Sequence, residues 1–304
     1  MNLADTMQQR TQDETKARKY LNDIFTPEGS TLITLAIVIA IIGFLTNTDI
    51  NNLGGMFHEF YANISSELIS IAITVAFIDS INKRRQDNQE LTRLKALLAS
   101  NESVVTKIAI AELNACGWLR DGSLQGVQLR RGKLQDTQLR GANLQGANLL
   151  EVNLQGADLQ GANLKGAILQ GANLRDAILK RAKLQGTQFF QANLQGAGLS
   201  EANLQDATLV RVNLQRAILK RANLQDADLR GTSLEESTLR SANLQGADLR
   251  GSNLQGAKLA KANMENAKLE NAILPDGTKY SSETDMERFT NPDHPNFLFL
   301  FKQS

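Results

Sequence analysis

From Leu119 to Leu274 a large apolar residue falls on every fifth position without a break, 32 times, with only Phe189 and Met264 in place of leucine. Two positions before each centre sits a small residue, usually alanine, as at Ala142, Ala147, Ala157 and Ala162. The positions between are polar, and the written unit is A-N-L-Q-G. A period of five fits neither a helix of 3.6 residues per turn nor a strand alternating every two. In a helix these leucines would be spread evenly round the cylinder, leaving no buried face. A chain that turns a corner every five residues resolves the pattern. Each leucine then points inward from the middle of one side, and each alanine tucks in near the corner, where only a small side chain fits.

This uninterrupted series of A-x-L-x-x units resembles the pentapeptide-repeat family, and the resemblance covers about half of the chain. It implies a mainly β fold, a right-handed quadrilateral β-helix of about eight coils at four units per coil. At roughly 4.8 Å per coil the stack would be a rod about 38 Å long.

Centres twenty residues apart belong to one side of such a rod. Two sides are monotonous: Asn143, Asn163, Asn203, Asn223 and Asn243 form one column, and Asn153, Asn173, Asn193 and Asn213 another. Stacked amides of this kind hydrogen-bond from layer to layer, so these columns read as structural ladders. The other two sides, opposite each other, vary. On the side centred on Leu119, Leu139 and Leu159, Arg120, Arg140, Lys180, Arg181, Lys220, Arg221, Arg240, Lys258 and Lys261 outnumber Asp121, Asp158 and Glu201. On the side centred on Leu129, Leu149, Leu169, Phe189 and Leu209, the residue after each centre faces outward and reads Arg130, Leu150, Gln170, Phe190, Val210, Arg230, Arg250. Ile168, one place before its centre, also faces out. Leu150, Ile168, Phe190 and Val210 thus make an apolar strip over four successive coils, rimmed by Arg131, Glu151, Arg211 and Arg230. An apolar centre with a charged rim is the anatomy of a protein interface.

The flanks divide into segments. Residues 1–29 are polar and carry Arg10, Lys16, Arg18 and Lys19, which is not the apolar core of a secretory signal. Residues 30–81 hold two apolar runs, Leu32–Leu45 and Leu68–Ile78, which predict a transmembrane helical hairpin when extended to about 30–50 and 61–81. Lys83, Arg84 and Arg85 follow it, while the loop from Thr46 to Tyr61 has no lysine or arginine. The positive-inside rule then places both termini and the repeat domain in the cytoplasm, at the cell membrane, with the chain multi-pass. The stretch Glu67–Asp79 followed by Lys83-Arg84-Arg85 is also similar to a hairpin of bacterial membrane proteins that carry cytoplasmic repeat domains. Glu67 and Asp79 read as interface residues rather than a proton path. Residues 82–118 predict two juxtamembrane and capping helices, with Leu91, Leu94, Leu97 and Leu98 on one stripe and Val104, Val105, Ile108 and Leu113 on the other. Asn101 or Ser103 is placed to cap the second, and Gly117 to end it. An open solenoid end exposes unpaired backbone, so this helix reads as its lid. Residues 275–304, beginning Pro275-Asp276-Gly277 and ending near Phe297–Phe301, read as the cap of the other end.

Composition changes the picture mainly by exclusion. One cysteine, Cys116, permits no disulfide within the chain and suggests a reducing compartment. Two histidines and one cysteine supply no metal-ligand cluster, the glycines belong to the repeat rather than to a phosphate loop, and outward carboxylates such as Asp206 and Asp226 sit where nothing raises a pKa. No enzyme, no cofactor and no small-molecule substrate is expected. The first functional expectation is a membrane-tethered scaffold presenting a rigid rod to an unidentified cytoplasmic protein, or to a second copy, through Leu150, Ile168, Phe190 and Val210. The second is that Arg140, Lys180, Arg181, Lys220, Arg221 and Arg240 lie against the anionic lipid of the bilayer. Nucleic acid is disfavoured there, because no aromatics interleave with the cations. The resemblance also implies a third: some members of the family look like duplex DNA and act on DNA gyrase. Residues 119–274 carry 20 Lys+Arg against 14 Asp+Glu, a charge opposite to that of DNA.

Overall fold

The computed structural model describes residues 53–100 and 102–297. Within them the five-residue period becomes a stack of coils. Every fifth residue from Gln128 to Asn253 forms a parallel bridge with the residue twenty positions later, from Gln128 with Asn148 to Asn253 with Ile273. Twenty residues therefore close one coil, and a turn after every fifth makes it four-sided.

The backbone accounts for this geometry, as the unit around Leu169 shows. Leu169 N–H donates to Gln188 O of the next coil (2.7 Å), and Ile168 N–H to Ala147 O of the previous one (2.9 Å). Gly171 N–H donates forward to Phe190 O (2.9 Å), and Ala172 N–H closes the corner on Leu169 O (3.1 Å). One N–H per unit is left over, that of the residue after the leucine. Where asparagine or aspartate precedes the leucine, its side chain supplies the acceptor: Gln225 N–H donates to Asn223 Oδ1 (3.2 Å), and Gln160 N–H to Asp158 Oδ1 (3.0 Å). A backbone donor near a packed core needs such a partner, and this need explains why the unit reads Asn-Leu.

The interior is the column of leucines and alanines. Leu124 to Leu259 are buried at every unit, with Phe189 fully enclosed in place of one leucine. Met264, in the last coil, is only half-buried. At Thr137, Thr187, Thr232 and Ser237, which replace the corner alanine, the hydroxyl donates to a carbonyl, as Thr232 Oγ1 does to Leu209 O (2.8 Å). The corner position before the alanine lies in the left-handed region, φ +69° at Gly196 and +56° at Arg211. Glycine is the natural occupant there.

The chain divides into two compact units, Met1–Arg85 and Gln86–Ser304. Helix α1 is Leu53–Leu98 and helix α2 is Ser103–Ala115. In the second unit Leu94 and Leu98 of α1 join Ala109, Ile110 and Leu113 of α2 in one buried cluster with Leu119 and Leu124. The first coil is thereby closed by two helices. The face of α2 that does this is Thr106, Ala109, Ile110 and Leu113, whereas Val104 and Ile108 of the expected stripe are exposed, Val104 by 71%. Glu102 takes the N-cap position without a side-chain hydrogen bond; Asn101 lies outside the described residues. Gly117 ends α2 at φ +78°, as the sequence implied. At the other end Lys279 pairs antiparallel with Ile273, and Phe289 in the short helix α3, Glu287–Thr290, is buried in the cluster. Phe297 joins Phe289, Leu259 and Pro275 around a small cavity; residues 298–301 of the expected cap lie outside the described residues.

The expected multi-pass membrane hairpin requires correction. Among the described residues no helix is long and apolar enough to cross a membrane. Residues 61–81, read as the second span, are part of α1, which continues through Lys83-Arg84-Arg85. The apolar run Leu68–Ile78 is stopped by Glu67 and Asp79 and covers about 16 Å of helix, against a hydrocarbon core of about 30 Å. The localisation drawn from that hairpin falls with it. The first apolar run, within 30–50, and the polar segment 1–29 lie outside the described residues.

Candidate functional site

Each side of a coil offers two outward positions, the residues before and after the buried centre. Bridges of Asn148 with Ile168, Ile168 with Gln188, and Gln188 with Thr208 hold one such column in register on the side centred on Leu149, Leu169 and Phe189. The parallel column is Arg130, Leu150, Gln170, Phe190, Val210, Arg230. All four apolar residues expected at this surface reach it. Phe190 is 36% exposed, while Leu150, Ile168 and Val210 are half-buried against their neighbours. Gln170 fills the gap in the strip and donates from Nε2 to Gln188 Oε1 (3.2 Å).

The rim carries ion pairs, one between successive coils and one within a coil. Arg131 Nε donates to Glu151 one coil on (2.7 Å), and Arg230 Nη2 pairs with Asp228 (2.7 Å). The guanidinium hydrogen bond holds the Glu151 carboxyl below its ordinary pKa, and Arg230 does the same for Asp228. Such exposed pairs fix side-chain positions more than they stabilise. They bound the apolar strip.

On the opposite side the six expected cations share one face, but not one state. Arg140 Nη2 donates to Gln160 Oε1 (2.9 Å), and Arg181 Nε to Glu201 (2.6 Å). Arg181 lowers the Glu201 pKa chiefly through that hydrogen bond, with Lys180 and Arg221 contributing charge. Lys180, Lys220 and Arg221 are exposed, and Arg240 is half-buried. The expectation for this side rests on its charge alone. Ile178 and Ile218 stand among the cations, 46% and 47% exposed, with Gly198 between them. The signal was available: these three occupy the position that elsewhere holds asparagine or aspartate.

No group of three or more histidine, cysteine, aspartate or glutamate side chains among the described residues could hold a metal ion. The arrangement offers surfaces, not a reaction centre.

Comparison with known proteins decides the family. The profile of the pentapeptide repeats matches residues 123–161, 157–196, 197–236 and 237–274, half of the chain. The chain is a pentapeptide-repeat protein. As in its family, the coil stack is a right-handed β-helix, and pentapeptide-repeat chains are of the kind that mediates protein interactions. Among solved structures, a pentapeptide repeat protein of the Arabidopsis thaliana thylakoid lumen is 38% identical over 31% of this chain and 65% of its own, at a TM-score of 0.30. The match takes in just under two thirds of that protein. HetL, involved in heterocyst differentiation regulation in the cyanobacterium Nostoc, is 30% identical over 57% of this chain and 98% of its own, at a TM-score of 0.18. QnrB1, a plasmid-mediated fluoroquinolone resistance protein, is 18% identical over 52% of this chain and 80% of its own, at 0.43. No curated protein matches the chain.

Proposed function

We propose that this pentapeptide-repeat protein is a non-catalytic scaffold that docks a partner protein on the face carrying Leu150, Ile168, Phe190 and Val210. The observation that carries this reading is Phe190, an aromatic side chain more than one-third exposed at the middle of the rod. The repeat gives no structural reason for it, because the inward position of that unit is already filled by Phe189. A rigid backbone beneath the strip means that docking costs little ordering, which favours association. Ordered ion pairs around an apolar centre match the core-and-rim organisation of interfaces. The excess of cations, 20 against 14 over residues 119–274, stands against imitation of duplex DNA.

A photo-reactive phenylalanine analogue at position 190 of the full chain tests the reading. It should crosslink a discrete protein species in cells, while the same analogue at Gln145, on a ladder side, should not. Equal crosslinking from both positions would remove the face from consideration.

A further inference from the structure

The basic side contains a cleft with its own chemistry, independent of the Phe190 face. On the coil of Leu199 this side presents only Gly198 and Ser200 outward, between the corners at Gly196 and Glu201, so the middle of the side has almost no side chains. The neighbouring coils raise Ile178 and Lys180 on one flank and Ile218 and Lys220 on the other, all exposed. Two coil spacings separate the flanks, about 10 Å. Gly198 does not adopt a left-handed conformation, and a Cβ there would meet nothing nearer than Ala177 O at 3.9 Å. The repeat therefore does not require glycine at this place.

What Gly198 removes is an acceptor. On the same side Asp158 supplies Oδ1 to Gln160 N–H, and on the ladder sides asparagines do the same. Ile178, Gly198 and Ile218 cannot. Among the described residues, the backbone N–H groups of Lys180, Ser200 and Lys220 consequently have no acceptor, three donors one above another. The carbonyls beside them are all used: Lys180 O, Ser200 O and Lys220 O accept from Gly161, Arg181 and Glu201 N–H. A main-chain strand cannot be added to this floor, but an oxygen can. Glu201 does not fill the need, being held by Arg181 at 2.6 Å.

We infer that this cleft binds a carboxylate side chain from an acidic segment of a partner protein, with an adjacent apolar side chain packed on the outer end of Ile178 or Ile218. The carboxylate takes the place left vacant at Gly198 and accepts from Ser200 N–H, as the repeat's own aspartate does at Asp158. Lys180, Lys220 and Arg221 supply the complementary charge. A phosphate backbone would use the cations but has no use for the two exposed isoleucines.

The test uses the full chain and a phage-displayed library of random dodecapeptides. Selection should enrich aspartate or glutamate within two positions of leucine, isoleucine, valine or phenylalanine. Gly198→Asn restores the internal acceptor with the side chain that the repeat itself prefers, so folding is kept. It should weaken a selected, fluorescently labelled peptide at least about tenfold by anisotropy, the loss expected for one charge-assisted hydrogen bond. Lys180→Gln with Lys220→Gln should weaken it comparably and flatten its salt dependence. Peptides enriched without acids, no enrichment, or unchanged affinity in Gly198→Asn at unchanged melting temperature would each overturn the proposal. So would an oligo-dT strand that outcompetes the peptide and still binds Gly198→Asn, since the side would then be a nucleic-acid surface.

Discussion

Asn243 Nδ2 donates to Asn223 Oδ1 at 3.2 Å, one full coil earlier in the chain. The same Asn223 Oδ1 accepts Gln225 N–H at 3.2 Å, and Asn223 Nδ2 reaches Asn203 Oδ1 at 3.3 Å. One amide thus closes its own coil and ties together three. Asn223→Ala removes all of these at once. We expect a loss of about 1–2 kcal/mol, seen as a lower midpoint in thermal unfolding. Asn223→Asp, which keeps the acceptor but not the donor, should fall between. Equal stability of all three proteins would show that the ladder is decorative.

Corner glycines carry a second expectation. Gly196 sits at φ +69°, and a Cβ there would run into Asp176 Oδ1 of the coil before. Gly196→Ala should cost about 1–3 kcal/mol through backbone strain and this clash. Asp176→Ala should recover only the clash. A double-mutant cycle in denaturant separates the two contributions, and strict additivity would mean that the side chains do not meet.

Buried hydroxyls provide a contrast within one fold. Thr232 Oγ1 donates to Leu209 O at 2.8 Å, whereas Ser252 Oγ is buried with no hydrogen-bond partner among the described residues. Ser252→Ala, which restores the usual corner residue, should therefore stabilise by about 1 kcal/mol, and Thr232→Val should destabilise by a similar amount. Calorimetry that finds the same sign for both would contradict the assignment.

Acid should release the ion pairs. Hydrogen bonding to Arg250 depresses the Asp248 pKa. A depressed folded-state pKa contributes stability that is complete above the ordinary carboxylate value of about 3.9 and disappears as pH falls through the lower folded value. Asp248→Asn keeps the acceptor for Arg250 N–H but has no charge. Its melting temperature should lie below that of the unaltered protein at neutral pH and converge with it near about pH 2. A constant gap across the range would mean that the charge is irrelevant.

The repeat's architecture was legible because a single residue pattern determines it. Leucine and alanine at fixed positions admit one arrangement, and Phe190 and Ile168 follow as outward residues from the register alone. The role of the asparagines was legible as a ladder but not as a cap, since the stranded N–H becomes visible only once every other backbone donor has its partner. The lid was harder. Helix α2 has apolar residues on both sides, and contact with Leu119 and Leu124, not periodicity, selects Ala109, Ile110 and Leu113 over Val104 and Ile108. The membrane hairpin failed because a mainly apolar run of eleven residues between Glu67 and Asp79, itself interrupted by Ser70 and Thr74, was extended into polar flanks. The cleft at Gly198 is not legible in the sequence, because the missing acceptor between Lys180 and Lys220 shows only against the full set of backbone hydrogen bonds.

The scaffold account turns on Phe190. Full-length Phe190→Ser, compared with the unaltered chain for thermal unfolding and for affinity toward the crosslinked partner, is the most direct measurement. We expect an unchanged melting temperature and an association weakened by about 2 kcal/mol, some thirtyfold, as for an aromatic anchor at the centre of an interface. An unfolded rod would show Phe190 to be core, and full affinity in a folded protein would show that the partner docks elsewhere.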